Sequence, residues 1–223
     1  MDDSMNTTIG EFSKELLSDA IYKAIRTKII EGGFTPGEHL IELEIAKAFH
    51  TSQAPVREAF RQLQREGFIV SIPYKGNYVY DVQEEEIREI YTLRNLIEKI
   101  AVKAMFTRWN DQHSQILRNT VKEMEQAAEK GSLMDLIESD LAFHRYICRN
   151  ASDYTNIICS WEMWAGKMSV VMASYDRRLE AAGSLSVTVH HHLDMIKAFD
   201  AANEEKLMQA FENHWSLIFG SNE

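Results

Sequence analysis

The stretch from residue 51 to residue 67 constrains this chain most, because its pattern predicts a helix with two chemically different faces. Pro55 favours the first turn of a helix, and Gly67 favours its end. Thr51 or Ser52 can supply the N-cap oxygen. One stripe repeats arginine every four residues and the roughly opposite face is apolar: Arg57, Arg61 and Arg65 against Val56, Ala59, Phe60 and Leu63. Such a helix packs on a small core and turns its cations either to salt-bridge partners in solvent or to an anion.

The elements predicted on either side of this helix have the order of a winged helix-turn-helix domain. Residues 1–13 carry no apolar pattern and are predicted to form a flexible tail. Apolar spacing and turn residues then predict, in order, a helix over 15–31, a helix over 42–49, the arginine helix, a strand over 68–72, a turn at 73–77 and a returning strand over 78–82. This order predicts a compact domain over residues 14–82.

Composition excludes several classes of function. The two cysteines, Cys148 and Cys159, make neither a disulfide framework nor a cysteine-based metal site. Neither a secretory signal nor an apolar run of membrane-spanning length is seen, so a cytoplasmic protein without a membrane partner is expected. The net charge of −10 argues against a general nucleic-acid coat. However, residues 54–75 hold three arginines and one lysine against two glutamates, and this local charge of +2 can bind a duplex at one place.

The rest of the chain is predicted to be an antiparallel all-helical bundle, which makes the protein mainly α. From residue 84 onward, apolar residues recur at helical spacing. Six helices are predicted: 84–107, 111–130, 133–150 after a capping-box sequence at Ser132, 153 to a break at Gly183 and Ser184, 185–201 and 203–219. The methionines and tryptophans of this region fall at helical spacing and are therefore assigned to the core rather than to a cofactor site.

Four potential metal ligands stand out in the bundle. Asp140 and His144 are four residues apart, so they project from one face of the third bundle helix. His192 lies in the fifth bundle helix and His214 in the sixth. One carboxylate and three neutral imidazoles suit zinc, nickel, manganese or iron held inside a bundle. Spacing alone does not bring the four together, and each histidine taken singly also fits a surface position or a hydrogen-bonded core position.

Residues 14–80 resemble the DNA-binding domain of the GntR family of bacterial transcription regulators. The resemblance rests on five matching stretches: GFTPGEHL at 33–40, PVREAF at 55–60, Leu63, EGFI at 66–69 and KGNYV at 75–79. Two positions depart from the family pattern, because Gln53 and Leu43 stand where the family often has arginine. These departures concern the operator sequence and leave the expected fold unchanged.

The GntR resemblance implies a dimer that binds a pseudo-palindromic operator, with one half-site for each subunit. The arginine helix would enter the major groove, where Arg57 and Arg61 contact bases or phosphates and Gln53 can pair with adenine. Lys75 and Gly76 would let the wing approach the DNA backbone or the minor groove.

Residues 84–220 resemble the FCD effector domain of the FadR-type branch of the same family, which implies effector binding and dimerisation. The resemblance also implies a divalent metal ion at the floor of a small-molecule pocket, zinc or nickel first and manganese or iron as alternatives, held by Asp140, His144, His192 and His214. His190 and His191 are adjacent decoys, because the spacing from His192 to His214 matches the family. Arg94 matches a recurrent family arginine and is expected either to pair with an effector carboxylate or to form a structural salt bridge.

Together the two resemblances predict a ligand-responsive transcription regulator rather than an enzyme. We expect a homodimer that represses a catabolic operon, binds double-stranded operator DNA and responds to a small carboxylate effector with the help of a metal ion. Two alternatives are a metal sensor, in which the ion itself is the signal, and a hydrolase, in which the metal activates water. The hydrolase is disfavoured because no separate general-base or nucleophile motif is found.

Overall fold

The computed structural model describes residues 3–153, 155–181 and 186–219, and the chain divides into two compact units, Met1–Val82 and Gln83–Glu223. The first unit is a winged helix-turn-helix with six elements: α1 (Asp3–Ile30), β1 (His39–Leu40), α2 (Glu42–Ala48), α3 (Gln53–Arg65), β2 (Ile69–Ile72) and β3 (Gly76–Val79). The second unit is helical. The predicted fold class, a winged helix-turn-helix followed by a helical bundle, is confirmed.

A small antiparallel sheet forms the wing, with the strand order β1-β3-β2. Strand β3 lies in the middle, so Tyr78 pairs with His39 of β1 on one side and with Val70 of β2 on the other. The β2-β3 hairpin was predicted, but the two-residue strand β1 was not, because so short a strand leaves no alternating pattern. Strand β3 begins at Gly76 rather than at Tyr78, since it pairs with β2 directly after the turn.

Helix α1 begins earlier than the sequence pattern indicated. Residues 1–13 were expected to be a flexible tail and the helix to begin near Glu15, but the helix extends from Asp3 to Ile30. The first turns lack an apolar pattern, yet no proline interrupts them, and a helix that is already nucleated adds residues at little cost. The expectation of a tail is therefore wrong for the backbone from Asp3 onward.

The two faces of α3 separate as predicted. Its apolar side chains are buried with residues of α1 and β2: Val56, Ala59, Phe60 and Leu63 with Ile21, Ile25, Ile29 and Ile69. Ser52 occupies the N-cap position with an extended backbone, although its side chain makes no capping hydrogen bond. Gly67 follows the last turn with a φ of 81°, a conformation that favours glycine. Because the core holds the apolar face, the arginine stripe lies on the outside, where Arg57 and Arg61 expose more than half of their side chains.

The second unit contains the predicted helices in the predicted order: α4 (Glu84–Phe106), α5 (Asp111–Lys130), α6 (Leu133–Asn150), α7 (Asn156–Ala181), α8 (Ser186–Asp200) and α9 (Glu204–Phe219). Helix α7 begins three residues after the predicted start at Asp153. The predicted break at Gly183 and Ser184 lies outside the described residues.

Helix α6 is central to this unit, since it packs against α4, α5 and α7, while α8 packs on α5 and α9. Its N-cap Ser132 accepts a hydrogen bond from the backbone N–H of Asp135, as its capping-box sequence predicted. The buried face of α6 is mostly apolar, but it also includes Asp140 and His144. Over the part of the chain that the structure describes, no helix has the length and apolar character needed to cross a membrane.

Candidate metal centre and DNA-reading surface

The four predicted metal ligands come together inside the second unit. Asp140 and His144 project from α6, His192 from α8 and His214 from α9, and all four are buried. One carboxylate oxygen or ring nitrogen from each lies within 4.8 Å of the others. His190 is exposed and is not part of this group. Packing of three helices therefore brings together residues that are 74 positions apart in the chain, from Asp140 to His214.

The separations between these atoms match those of metal ligands. His144 Nε2 lies 3.2 Å from His192 Nε2, and His192 Nε2 lies 3.1 Å from Asp140 Oδ1. Ligand atoms bound at about 2.0–2.2 Å from one ion are about 2.8–3.6 Å from each other in tetrahedral or octahedral geometry. The third separation, from His144 Nε2 to Asp140 Oδ1, is slightly longer at 3.9 Å. The buried Nδ1 of His214 has no hydrogen-bond partner among the described residues, although buried polar atoms normally have one.

Glu98 of α4 lies next to the four predicted metal ligands, where it contacts His144, and the sequence analysis did not identify it. Its Oε1 accepts hydrogen bonds from Arg94 Nε at 2.6 Å and from Trp161 Nε1 at 2.7 Å. Its Oε2 lies 2.8 Å from His144 Nδ1. The contact lacks the alignment of a hydrogen bond, but at this distance the negative charge of the carboxylate still favours the tautomer with the proton on Nδ1, which leaves Nε2 free to bind a cation. The Arg-x-x-x-Glu spacing within an apolar helix was the signal that could have identified it.

Arg94 forms the structural ion pair that was one of its two predicted roles. Arg94 is 2% exposed, and its guanidinium donates to Glu98 through Nε and to Asp140 Oδ2 through Nη2, the latter at 3.3 Å. Nη1 donates to the sulfur of Met172 at 3.6 Å. The guanidinium also lies 5.0 Å from the ring centre of Trp215. Arg94 therefore links the carboxylate of Glu98 to the carboxylate of Asp140. Direct contact between Arg94 and an effector stays a prediction.

The charges inside the bundle suit a cation. Burial by itself would raise the pKa of Glu98, but Arg94 and His144 lower it to about 2. Burial likewise opposes ionisation of Asp140, yet the two neighbouring histidines and Arg94 hold its pKa well below the usual value. Burial lowers the pKa of His144 and lowers that of His214 further. The carboxylates are thus ionised and these imidazoles neutral, which are the protonation states that metal ligands need.

The arginine stripe of α3 is held by acidic and amide side chains. Arg57 Nε donates to Glu42 Oε2 of α2 at 2.8 Å, and Arg57 Nη2 donates to Gln53 Oε1 at 3.0 Å. Arg61 Nη1 donates to Glu58 Oε1 at 2.6 Å within α3. The predicted alternative of salt-bridged arginines in solvent therefore describes Arg57 and Arg61 in this structure. The Arg61–Glu58 pair, in which both side chains are at least 60% exposed, is weak enough for DNA to replace it.

The wing presents the other two predicted DNA-binding residues. Lys75 is exposed at the β2-β3 turn, and Gly76 has a φ of 107°, which side-chain-bearing residues rarely adopt. A Cβ at Gly76 would also lie 2.5 Å from His39 Nε2. Tyr74, fully exposed at the tip, is a further candidate that the sequence reasoning did not name.

Comparison with known families decides what this pair of units is. A family model described as bacterial regulatory proteins of the gntR family matches residues 17–79, and the model of the FCD domain matches residues 89–217. The chain belongs to the GntR family of bacterial transcription regulators. Each of its two structural units thus corresponds to one of the two matched domains, which is the domain pairing that the sequence resemblance implied.

Relatives of this GntR regulator include proteins named as repressors. It is 26% identical over 212 residues to the probable D-xylose utilization operon transcriptional repressor of Paenarthrobacter nicotinovorans, covering 94% of this chain and 90% of the relative. It is 24% identical over 201 residues to the gluconate operon transcriptional repressor of Bacillus licheniformis, covering 89% and 82%. The protein is a DNA-binding transcription regulator and not an enzyme, so the hydrolase alternative is not supported.

Solved structures show the same fold. McbR/YncC of E. coli superposes with a TM-score of 0.70 at 19% identity, covering 91% of this chain and 95% of that one. A putative GntR regulator from Rhodococcus sp. RHA1 superposes with a TM-score of 0.69 at 20% identity, covering 92% and 99%. At this level of identity the likeness concerns the fold alone.

Proposed function

We propose that this GntR regulator is a homodimeric repressor of a catabolic operon whose helical unit binds a divalent metal ion and a small carboxylate effector. The observation that carries the proposal is the buried convergence of Asp140, His144, His192 and His214. The names of two relatives, repressors of a D-xylose utilization operon and a gluconate operon, support the assignment to a catabolic operon. Membership of the FadR-type branch is part of the same proposal.

In this proposal the four converging residues hold the ion, zinc or nickel first and manganese or iron as alternatives. A bound ion supplies a positive charge to which a carboxylate effector can attach. The chain itself prepares the ligands: Glu98 keeps the proton of His144 on Nδ1, and Arg94 occupies Asp140 Oδ2 so that Oδ1 faces His192. Arg94 acts here through Asp140, because its guanidinium is buried and already engaged.

The DNA-binding part of the proposal assigns the major groove to α3. Arg57, Arg61 and Gln53 lie on its exposed face and contact base edges or phosphates, while Lys75 and Gly76 bring the wing to the backbone or minor groove. The effector changes DNA affinity only if it binds the DNA-competent and DNA-incompetent forms of the regulator unequally.

An exposed apolar stripe on α4 supports the homodimer. Leu93, Leu96 and Ile100 are 40%, 55% and 59% exposed, and Glu89 and Lys103 continue the same stripe at either end. The spacing alternates between four and three residues, which is the pattern of a helix-helix seam. Two copies of α4 crossing antiparallel at Leu96 would place Glu89 of each opposite Lys103 of the other. This charge complementarity favours a second copy of the chain as the occupant.

The test of the metal and effector proposal compares two histidine variants. His144→Ala should lower the metal content of the purified protein, measured by mass spectrometry, and should remove the response of DNA binding to added acids. His190→Ala is the matched control, because it removes an exposed histidine outside the cluster. Both variants should bind DNA equally without effector. Full metal content in His144→Ala would overturn the metal site, and DNA affinity that follows metal concentration with no organic acid would favour the metal sensor instead.

A further inference from the structure

Arg57 is held in place differently from Arg61 on the same helix. Its partner Glu42 belongs to another helix and exposes 28% of its side chain, against 56% for Arg57 itself. Arg61, in contrast, pairs with Glu58 three residues away on the same helix, and both side chains are at least 60% exposed. A partner on a second helix restricts Arg57 in a way that a neighbour on the same exposed face does not. The Glu42 pair can therefore persist when α3 meets a duplex.

Gln53 also contacts Arg57, and this contact affects which hydrogen bonds Gln53 itself can make. Its Oε1 accepts the hydrogen bond from Arg57 Nη2, which turns the amide oxygen toward Arg57 and leaves both hydrogens of the amide nitrogen for another partner. Reading adenine requires both amide atoms, because the oxygen accepts from the adenine amino group while the nitrogen donates to N7. The contact with Arg57 uses one of the two lone pairs of Oε1 and orients the amide, so Gln53 presents its nitrogen as a donor, which suits N7 and O6 of guanine or O4 of thymine.

We propose that Glu42 is a positioning residue that sets operator specificity by holding Arg57, with Gln53, in one orientation. Glu42 takes Nε and Gln53 takes one hydrogen of Nη2, so the hydrogens of Nη1 and the other hydrogen of Nη2 stay available. Those donors match the O6 and N7 acceptors of guanine. The inference rests on the proposed entry of α3 into the major groove, and it adds that α2 takes part in reading sequence without touching a base.

The orientation of Arg57 matters more than the charge of Glu42 in this proposal. A carboxylate near DNA repels phosphates, so its removal should strengthen binding to any duplex. If Glu42 holds Arg57 in place, the same removal should weaken discrimination between bases. Opposite effects on general affinity and on base preference are therefore the signature of positioning.

The experiment uses the full-length protein and a pool of duplexes with a randomised central segment. Selection with the unchanged protein gives a consensus, and the position at which Arg57→Ala loses base preference is the one that Arg57 reads. Fluorescence anisotropy then gives the ratio of affinities for guanine and for the other bases at that position. We expect Glu42→Gln to lower this ratio about fivefold or more, since one bidentate contact discriminates by roughly 5–150-fold. Binding to a non-consensus duplex should become tighter.

Two further variants separate orientation from charge. Glu44→Gln removes the same charge from an exposed position on the same helix, and it should leave the guanine ratio within about twofold. Glu42→Asp keeps the charge but shortens the reach, and it should lower the ratio without tighter non-consensus binding. Equal effects of Glu42→Gln and Glu44→Gln, or an unchanged ratio in Glu42→Asp, would overturn the inference while leaving α3 as the reading helix. If Arg57→Ala keeps every base preference, the reading helix itself is wrong and the inference falls with it.

Discussion

Replacing Glu98 by glutamine should change which nitrogen of His144 carries the proton. The amide has the shape of the carboxylate, and its oxygen can keep the two hydrogen bonds that Arg94 and Trp161 donate to Oε1. Its NH₂ group then takes the position of Oε2, which lies 2.8 Å from His144 Nδ1. Two donors cannot face each other, so Nδ1 must become the acceptor and Nε2 must take the proton. A protonated Nε2 cannot bind a metal ion.

The magnitude follows from the same contacts. Loss of an outer carboxylate partner of a ligating histidine lowers metal affinity by about 10–100-fold, or roughly 1.4–2.7 kcal/mol. Breaking a buried ion pair by removing one partner costs about 3–5 kcal/mol of stability. Because Asp140 still faces Arg94 and the amide oxygen still accepts from it, we expect the lower end, about 3 kcal/mol.

Two measurements check this prediction. Nitrogen-15 chemical shifts of the histidines in metal-free protein report the tautomer, and competition with a chelator reports metal affinity. Glu212→Gln is the matched control, since it breaks the exposed pair with Lys99 and should leave metal affinity unchanged. An unchanged tautomer together with metal affinity within about twofold of the starting protein would refute the reasoning.

Three other changes test separate parts of the molecule. Arg57→Ala should weaken consensus binding by about 1–3 kcal/mol if it reads a base, measured by anisotropy, whereas a similar loss on every duplex with a smaller salt dependence would mean a phosphate contact. Leu96→Glu should give a monomer by sedimentation, while Met163→Glu, at a 75% exposed position off the α4 stripe, should not; a dimeric Leu96→Glu protein would exclude that face. Gly76→Ala should destabilise the wing by about 1–3 kcal/mol through its φ of 107°. Removing the His39 ring in the same protein should recover the part of the lost stability that comes from the clash with that ring. Unchanged hydrogen exchange in the wing of the Gly76→Ala protein would contradict the strain argument.

The cluster of Asp140, His144, His192 and His214 shows how a charged site can be placed in a bundle interior. A single buried carboxylate would be costly, but Asp140 and Glu98 share Arg94, whose guanidinium bridges them. The net charge of Asp140, Glu98 and Arg94 together is one negative charge, which a bound cation would offset. The stability of the cluster and its affinity for a cation are thus two results of the same arrangement, and we expect them to change together in variants of Glu98.

Several features followed from local sequence alone. The spacing of Arg57, Arg61 and Arg65 against Val56 and Phe60 predicted the two faces of α3, because helical periodicity assigns residues to faces without knowledge of the fold. Gly67 marked a helix end for a similar reason, since it adopts the positive φ that glycine favours. The pairing of a winged helix-turn-helix with a bundle was also readable, because each unit is built from long or regularly ordered elements.

Tertiary structure decided the rest. The sequence placed Asp140 and His144 on one helix face, but only the packing of α6 with α8 and α9 brought them to His192 and His214. Glu98 could not be linked to His144 from the sequence, because 46 residues separate them and no periodicity relates residues on different helices. The same holds for Glu42 and Arg57, whose contact depends on how α2 packs against α3. Local patterns determine which face a side chain occupies, whereas the partner it meets there depends on long-range packing.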